Sequence, residues 1–170
     1  MNELDAFNLA LLILRVGVGL TLAAHGYNKF FGGGRIPGTA KWFDSMGMRP
    51  GTVHAVLAAS TELGAGVGLA IGLFTALCGA AFVALMFVAY WTVHRVNGFF
   101  IVKSGWEYNF VLALVGITVA TLGPGEWSLD DKLGIGGNGL AGLLIAGAGG
   151  LAAAAAQLGL FYRPPAKTES

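Results

Sequence analysis

Apolar and polar positions fall into long blocks along this chain, not into short alternations. Crossing the hydrocarbon core of a bilayer takes about 20 mostly apolar residues. Five stretches approach or reach that length: 7–31, 52–73, 75–96, 106–122 (slightly short) and 139–162. The second and third abut at "GLFTALCG", a turn so short that it demands an antiparallel hairpin. The pattern predicts an all-α polytopic transmembrane bundle of four core helices plus a fifth, C-terminal span. That fifth stretch is rich in Ala and Gly, so a buried or re-entrant helix is its alternative. A polar tail, 163–170, follows.

Composition agrees with this class. Hydrophobic residues make up 55% of the 170 and charged residues 11%, with mean hydropathy +0.70. Soluble domains carry about 25% charged residues, so this surface could not be solvated by water alone. A net charge of +1 gives no electrostatic case for nucleic acid. The single cysteine, Cys78, excludes an intrachain disulfide and reads as a small packing residue. The acidic start "MNELDAFN" and the interrupting Arg15 argue for a retained helix over a cleaved signal peptide.

Lysine and arginine set the expected orientation. Setting aside Arg15 within the bilayer, Lys29, Arg35, Lys41, Arg49, Arg95, Lys103, Arg163 and Lys167 fall on one side and Lys132 alone on the other. The positive-inside rule then places the N-terminus outside and the C-terminus in the cytoplasm of a bacterial inner membrane. The loop "RIPGTAKWFDSMGMRPG" reads as an interfacial amphipathic helix capped by Thr39, with Trp42, Phe43 and Met46 on one side. Small residues recur every four positions at Gly64, Gly68 and Gly72, and at Gly142, Ala146 and Gly150. Such stripes let helices approach closely, within a chain or in a homo-oligomer.

Ionisable groups inside spans are costly and need partners. Arg15 and Glu62 lie at similar depths if both are counted from the outer ends of their spans, which predicts a buried Arg15–Glu62 pair. It would serve either helix register or a polar ligand centre. At the other membrane face His25 and Lys29 share a helix face at i and i+4. His54, His94, Arg95, Trp106 and Glu107 are expected to converge there. Helix ends collect polar and aromatic residues anyway. A metal or haem site on His25 and His94 lacks a ligand motif and is not favoured. A quinone-type site is the third reading, with His25, Lys29, His94 and Glu107 as polar groups and Trp106 as an aromatic wall.

The segments "LRVGVGLTLAAHGYNKFFGG", "TELGAGVGLAIGLFT", "MFVAYWTVHRVNGFF", "GWEYNFVLAL" and "LGPGEWSLDDKLG" together resemble the DoxX family of small bacterial membrane proteins, within the wider DoxX/DoxD-like group. The resemblance covers about residues 9–133. It implies a four-helix transmembrane bundle, here 7–133, with 139–162 lying outside that unit. Related proteins include the membrane subunit of a thiosulfate:quinone oxidoreductase and a mycobacterial member associated with superoxide dismutase and a sulfurtransferase. The resemblance therefore implies a redox-linked membrane subunit with quinone and soluble redox enzymes as partners, and it carries over no catalytic residues. Two alternatives remain open: a scaffold recruiting soluble partners through its cationic loop, and a small proton-coupled transporter. The latter has no inverted repeat or broken helix in its favour.

Overall fold

The computed structural model describes residues 1–164. Its helices are α1 (Glu3–Phe31), α2 (Arg35–Ser45), α3 (Gly51–Ile71), α4 (Thr75–Ala89), α5 (Glu107–Leu122), α6 (Leu129–Leu133), α7 (Gly139–Leu143) and α8 (Gly150–Phe161). A π turn, Tyr90–His94, and a 3-10 turn, Arg95–Asn97, extend α4; a second π turn, Leu144–Gly149, fuses α7 and α8 into one rod. No strand forms among the described residues. Four helices are long and apolar enough to cross a membrane: Glu3–Phe31, Gly51–Ile71, Thr75–Asn97 and Gly139–Phe161, with Glu107–Leu122 a shorter apolar helix. The Ala- and Gly-rich fifth stretch is thus a continuous rod. The polar tail beyond Pro164 lies outside the described residues.

The helix ends follow from local chemistry. Asn2 caps α1 by accepting from the Asp5 amide at 2.7 Å, and Glu3 and Asp5 in the first turn face the helix dipole favourably. Lys29 lies in the last turn, where a cation is favoured. Gly72 ends α3 in the left-handed region at φ 67°, and α4 starts three residues later, which makes the expected hairpin.

Close backbone approach holds the bundle. The contact of α1 with α3 is the most extensive, followed by α4 with α5. A Cβ at Gly26 would stand 2.6 Å from the Ala59 carbonyl oxygen, and one at Gly19 would stand 2.5 Å from that of Gly66. These helices meet backbone to backbone, as small residues permit. The glycines that achieve this are not all those of the expected α3 stripe. Gly64 is exposed with nothing near its Cβ position, and Gly68 meets the Cys78 sulfur. The fifth-span stripe does pack, but inside the chain: Gly142 lies against the Ala120 carbonyl and Gly150 against that of Ala80. The main core holds Leu22, Leu69, Phe82 and Val119. Apolar side chains such as Ile13, Leu20 and Leu77 point outward, so lipid is what these faces contact.

Two features position the site. α1 and α5 scarcely touch, which leaves a cleft on one side of the bundle. The helix α2 also does more than float at an interface. Ala40 and Phe43 are buried with Met48 and Ala55, so α2 is clamped onto α3. It begins at Arg35 instead of at Thr39; the Thr39 hydroxyl donates back to the Arg35 carbonyl at 2.9 Å and caps nothing.

Candidate site between α1, α3, α4 and α5

The expected Arg15–Glu62 pair does not form. Close packing of Gly19 on Gly66 and of Gly26 on Ala59 fixes the antiparallel register of α1 and α3. That register puts Arg15 level with Gly72, at the end of α3, and Glu62 lies ten residues back along α3, about 15 Å away. The Arg15 guanidinium lies against Gly72 and donates from Nη2 to the Trp127 carbonyl at 2.5 Å. It is 1% exposed because 123–138 folds over this end of the bundle. There Asn8 Nδ2 donates to Glu126 at 2.8 Å. The buried Asp130 accepts from the Phe74 and Thr75 amides at 2.7 and 2.8 Å, capping α4. Counting depth from the edge of the first apolar block missed this cap, which shelters polar groups that would otherwise need water.

Glu62 pairs with Lys29 instead. The Lys29 ammonium donates to both carboxylate oxygens, at 2.7 and 2.6 Å. The side chains are 19% and 11% exposed, so the pair is partly buried. Lys29 is three residues past the point where Gly26 lets α1 touch α3, and from there its long stem reaches Glu62.

The pair lines a cavity of about 570 Å³. Around it stand His25 and Leu22 of α1, Thr61 of α3, Tyr108 and Asn109 of α5, and His94 at the end of α4. Trp42 and Phe43 of α2 and Met46 just past its end close one side, and Gln157 of α8 reaches it from another. His25 stands at the cleft opposite Tyr108, their rings 6.3 Å apart. The cavity therefore combines one ion pair and several hydrogen-bonding side chains with a mostly apolar lining. Such a lining suits a flat molecule with a polar edge.

Of the five residues expected at a quinone-type site, His25, Lys29 and His94 share this cavity. Glu107 and Trp106 do not. Glu107 turns away and accepts from the Ile101 amide at 2.9 Å, closing the loop 95–105. Trp106 packs edge-on against Phe99 and Tyr90. The His94 Nδ1 is engaged with the Ser104 carbonyl at 2.7 Å. Arg95 lies over the Trp91 ring at 4.2 Å, and His54 is buried behind the cavity with its Nδ1 3.1 Å from the Gln157 amide nitrogen.

Tyr108, Asn109 and Gln157 were not singled out from sequence. The phase of α5 held the signal for Asn109. Asn109, Leu112 and Gly116 recur at helical spacing and are all buried, so the inward face passes through Asn109. Glu107 is two residues earlier, about 200° around the helix. Gln157 comes from α8, outside the four-helix unit that the resemblance covers.

Comparison with known proteins agrees with this architecture. The DoxX family model matches residues 10–95. The chain is 33% identical over 130 residues to the Bacillus subtilis (strain 168) protein named "Putative oxidoreductase CatD", covering 76% of this chain and 90% of that protein. No solved structure matches. An α-helical bundle with membrane-length apolar helices, matched by this model over half its length, belongs to the DoxX family.

Proposed function

We propose that the protein is a bacterial inner-membrane subunit of a redox system, and that its cavity between α1, α3, α4 and α5 binds a quinone. The Lys29–Glu62 pair set in a largely apolar cavity carries this reading. A quinone headgroup needs a donor for its carbonyl oxygen, apolar walls and a proton route. Lys29 is a charged donor of fixed position, and charge-assisted hydrogen bonds are the strong ones. Glu62 holds that ammonium in place and is the group next to it that can carry a proton. His25 and Tyr108 stand at the cleft through which a lipid-dissolved molecule would enter. Trp42 and Phe43 supply aromatic wall. Bound there, a quinone would supply two-electron acceptor chemistry.

The oxidoreductase name of the Bacillus subtilis relative supports the redox setting. With the lysine- and arginine-rich loops on the cytoplasmic side, the cavity opens near the cytoplasmic face, within reach of soluble redox enzymes. The test is to purify the protein in lipid nanodiscs, extract it and quantify co-purifying quinone. Quinone at near one per chain, lost in Lys29→Met, is the expected result. A quinone content equal to that of empty nanodiscs overturns the proposal.

A further inference from the structure

A second hollow, about 320 Å³, lies on the opposite side of α5, between α4, α5 and α8. Leu114, Ile117, Phe87, Phe110 and Leu151 line it, and nothing charged does. It shares two residues with the polar cavity, Met86 and Asn109. Those two side chains touch: the Asn109 amide donates to the Met86 sulfur at 3.7 Å. The two hollows therefore adjoin at one thioether and one amide.

That contact is weak by its chemistry. Sulfur is a poor acceptor, and contacts of this kind contribute little. Met has three rotatable side-chain bonds and adapts to irregular space. A change of Met86 rotamer would open this point of contact between the hollows.

We propose that the apolar hollow is the tail compartment of the same site. It takes the hydrocarbon chain of an amphipathic ligand whose flat polar head lies beside Lys29 and Glu62, and Met86 and Asn109 are the gate between head and tail. This inference rests on the quinone reading above and adds where the chain runs. Cavity size is the second argument. About 570 Å³ suits a drug-sized molecule and does not house a long prenyl chain as well. The chain must leave, and the adjoining hollow is the exit whose lining is wholly free of charge.

The test uses the full chain in nanodiscs and a benzoquinone bearing a decyl tail with a terminal diazirine. Photolysis and peptide mapping by mass spectrometry locate the tail. The expected label falls on 110–117 or on Leu151, and an excess of tail-less dimethoxy-methyl-benzoquinone reduces it at least fivefold. In Ala113→Trp, which fills the hollow, labelling there drops at least fivefold while the tail-less quinone binds as before. Leu114→Trp serves the same purpose should the first variant not fold. Label that lands on other helices, or that the tail-less competitor leaves unchanged although it binds, overturns the tail compartment alone; the hollow then holds only annular lipid chains. Failure of the tail-less quinone to bind at all overturns the headgroup reading and this one with it.

Discussion

The Lys29 ammonium sits 2.6 and 2.7 Å from the two carboxylate oxygens of Glu62, across the interface where α1 and α3 pack most closely. A two-pronged ion pair facing an apolar cavity is poor evidence for stability, since desolvation offsets much of the attraction. On the proposed reading it is a polar centre held ready for a ligand.

The pair makes its own prediction. Lys29→Met strands a carboxylate in apolar surroundings and should cost about 2–4 kcal/mol, toward the lower end of what breaking a buried pair costs because the pair is partly exposed. Glu62→Gln should cost less, because a lone lysine near a helix end can bend its stem toward the headgroups. The double variant should be more stable than Lys29→Met. Thermal unfolding of all four proteins in one detergent gives the coupling energy; additive losses would show that the pair is not coupled.

Glycine packing predicts a sharp contrast. A side chain at Gly26 or Gly66 meets the backbone of the facing helix at about 2.5–2.6 Å, so Gly26→Val and Gly66→Val should fail to give a stable protein. Gly64→Ala, on the same helix as Gly66 but with nothing within 4 Å, should change the unfolding temperature by little and gain slightly from helix propensity. Equal losses at Gly64 and Gly66 would place the α1–α3 contact elsewhere.

Asp130 is the hub of the other end. Its carboxylate caps α4 through the Phe74 and Thr75 amides, and its charge acts on the buried Arg15. Asp130→Ala removes the cap, a loss of about 1–2 kcal/mol. Asp130→Asn retains an acceptor and should recover part of it. Proteolysis within 123–138 should speed up in Asp130→Ala before the remaining helices open, because that segment is anchored there.

Membrane orientation is checked by cysteine labelling. In a Cys78→Ser background, a cysteine at Asn2 should react with a membrane-impermeant maleimide in whole spheroplasts. One at Ser45 should react only after the membrane is opened. The reverse pattern would put the cavity on the outer side and remove its access to cytoplasmic redox enzymes.

Much of the fold was legible because each apolar block was long and each break was short or charged. The hairpin at 72–74 and the helix at 139–161 followed from length alone. The partner of Glu62 was not, for a definite reason. Register between two antiparallel spans is set by which small residues touch, and Gly19, Gly26 and Gly66 are three glycines among 28. Apolar block edges gave depth too coarsely, since α1 extends beyond the α3–α4 turn and is covered by 123–138. His25, Lys29 and His94, polar residues near the end of an apolar block, line the cavity. Glu107 stood out in the same way but does not line it, because the inward phase of α5 passes through Asn109.

The central claim is that the cavity beside Lys29 and Glu62 binds a quinone headgroup, and Trp42 in its wall gives a signal. Titrating a short-tailed ubiquinone analogue into nanodisc-embedded protein, with tryptophan fluorescence as readout, measures the affinity directly. The account predicts saturable quenching for the wild type and at least tenfold weaker binding for the Lys29→Met, Glu62→Gln double variant, whose fold the paired substitution preserves. Equal affinity of the two proteins, or unsaturable quenching in both, would contradict it.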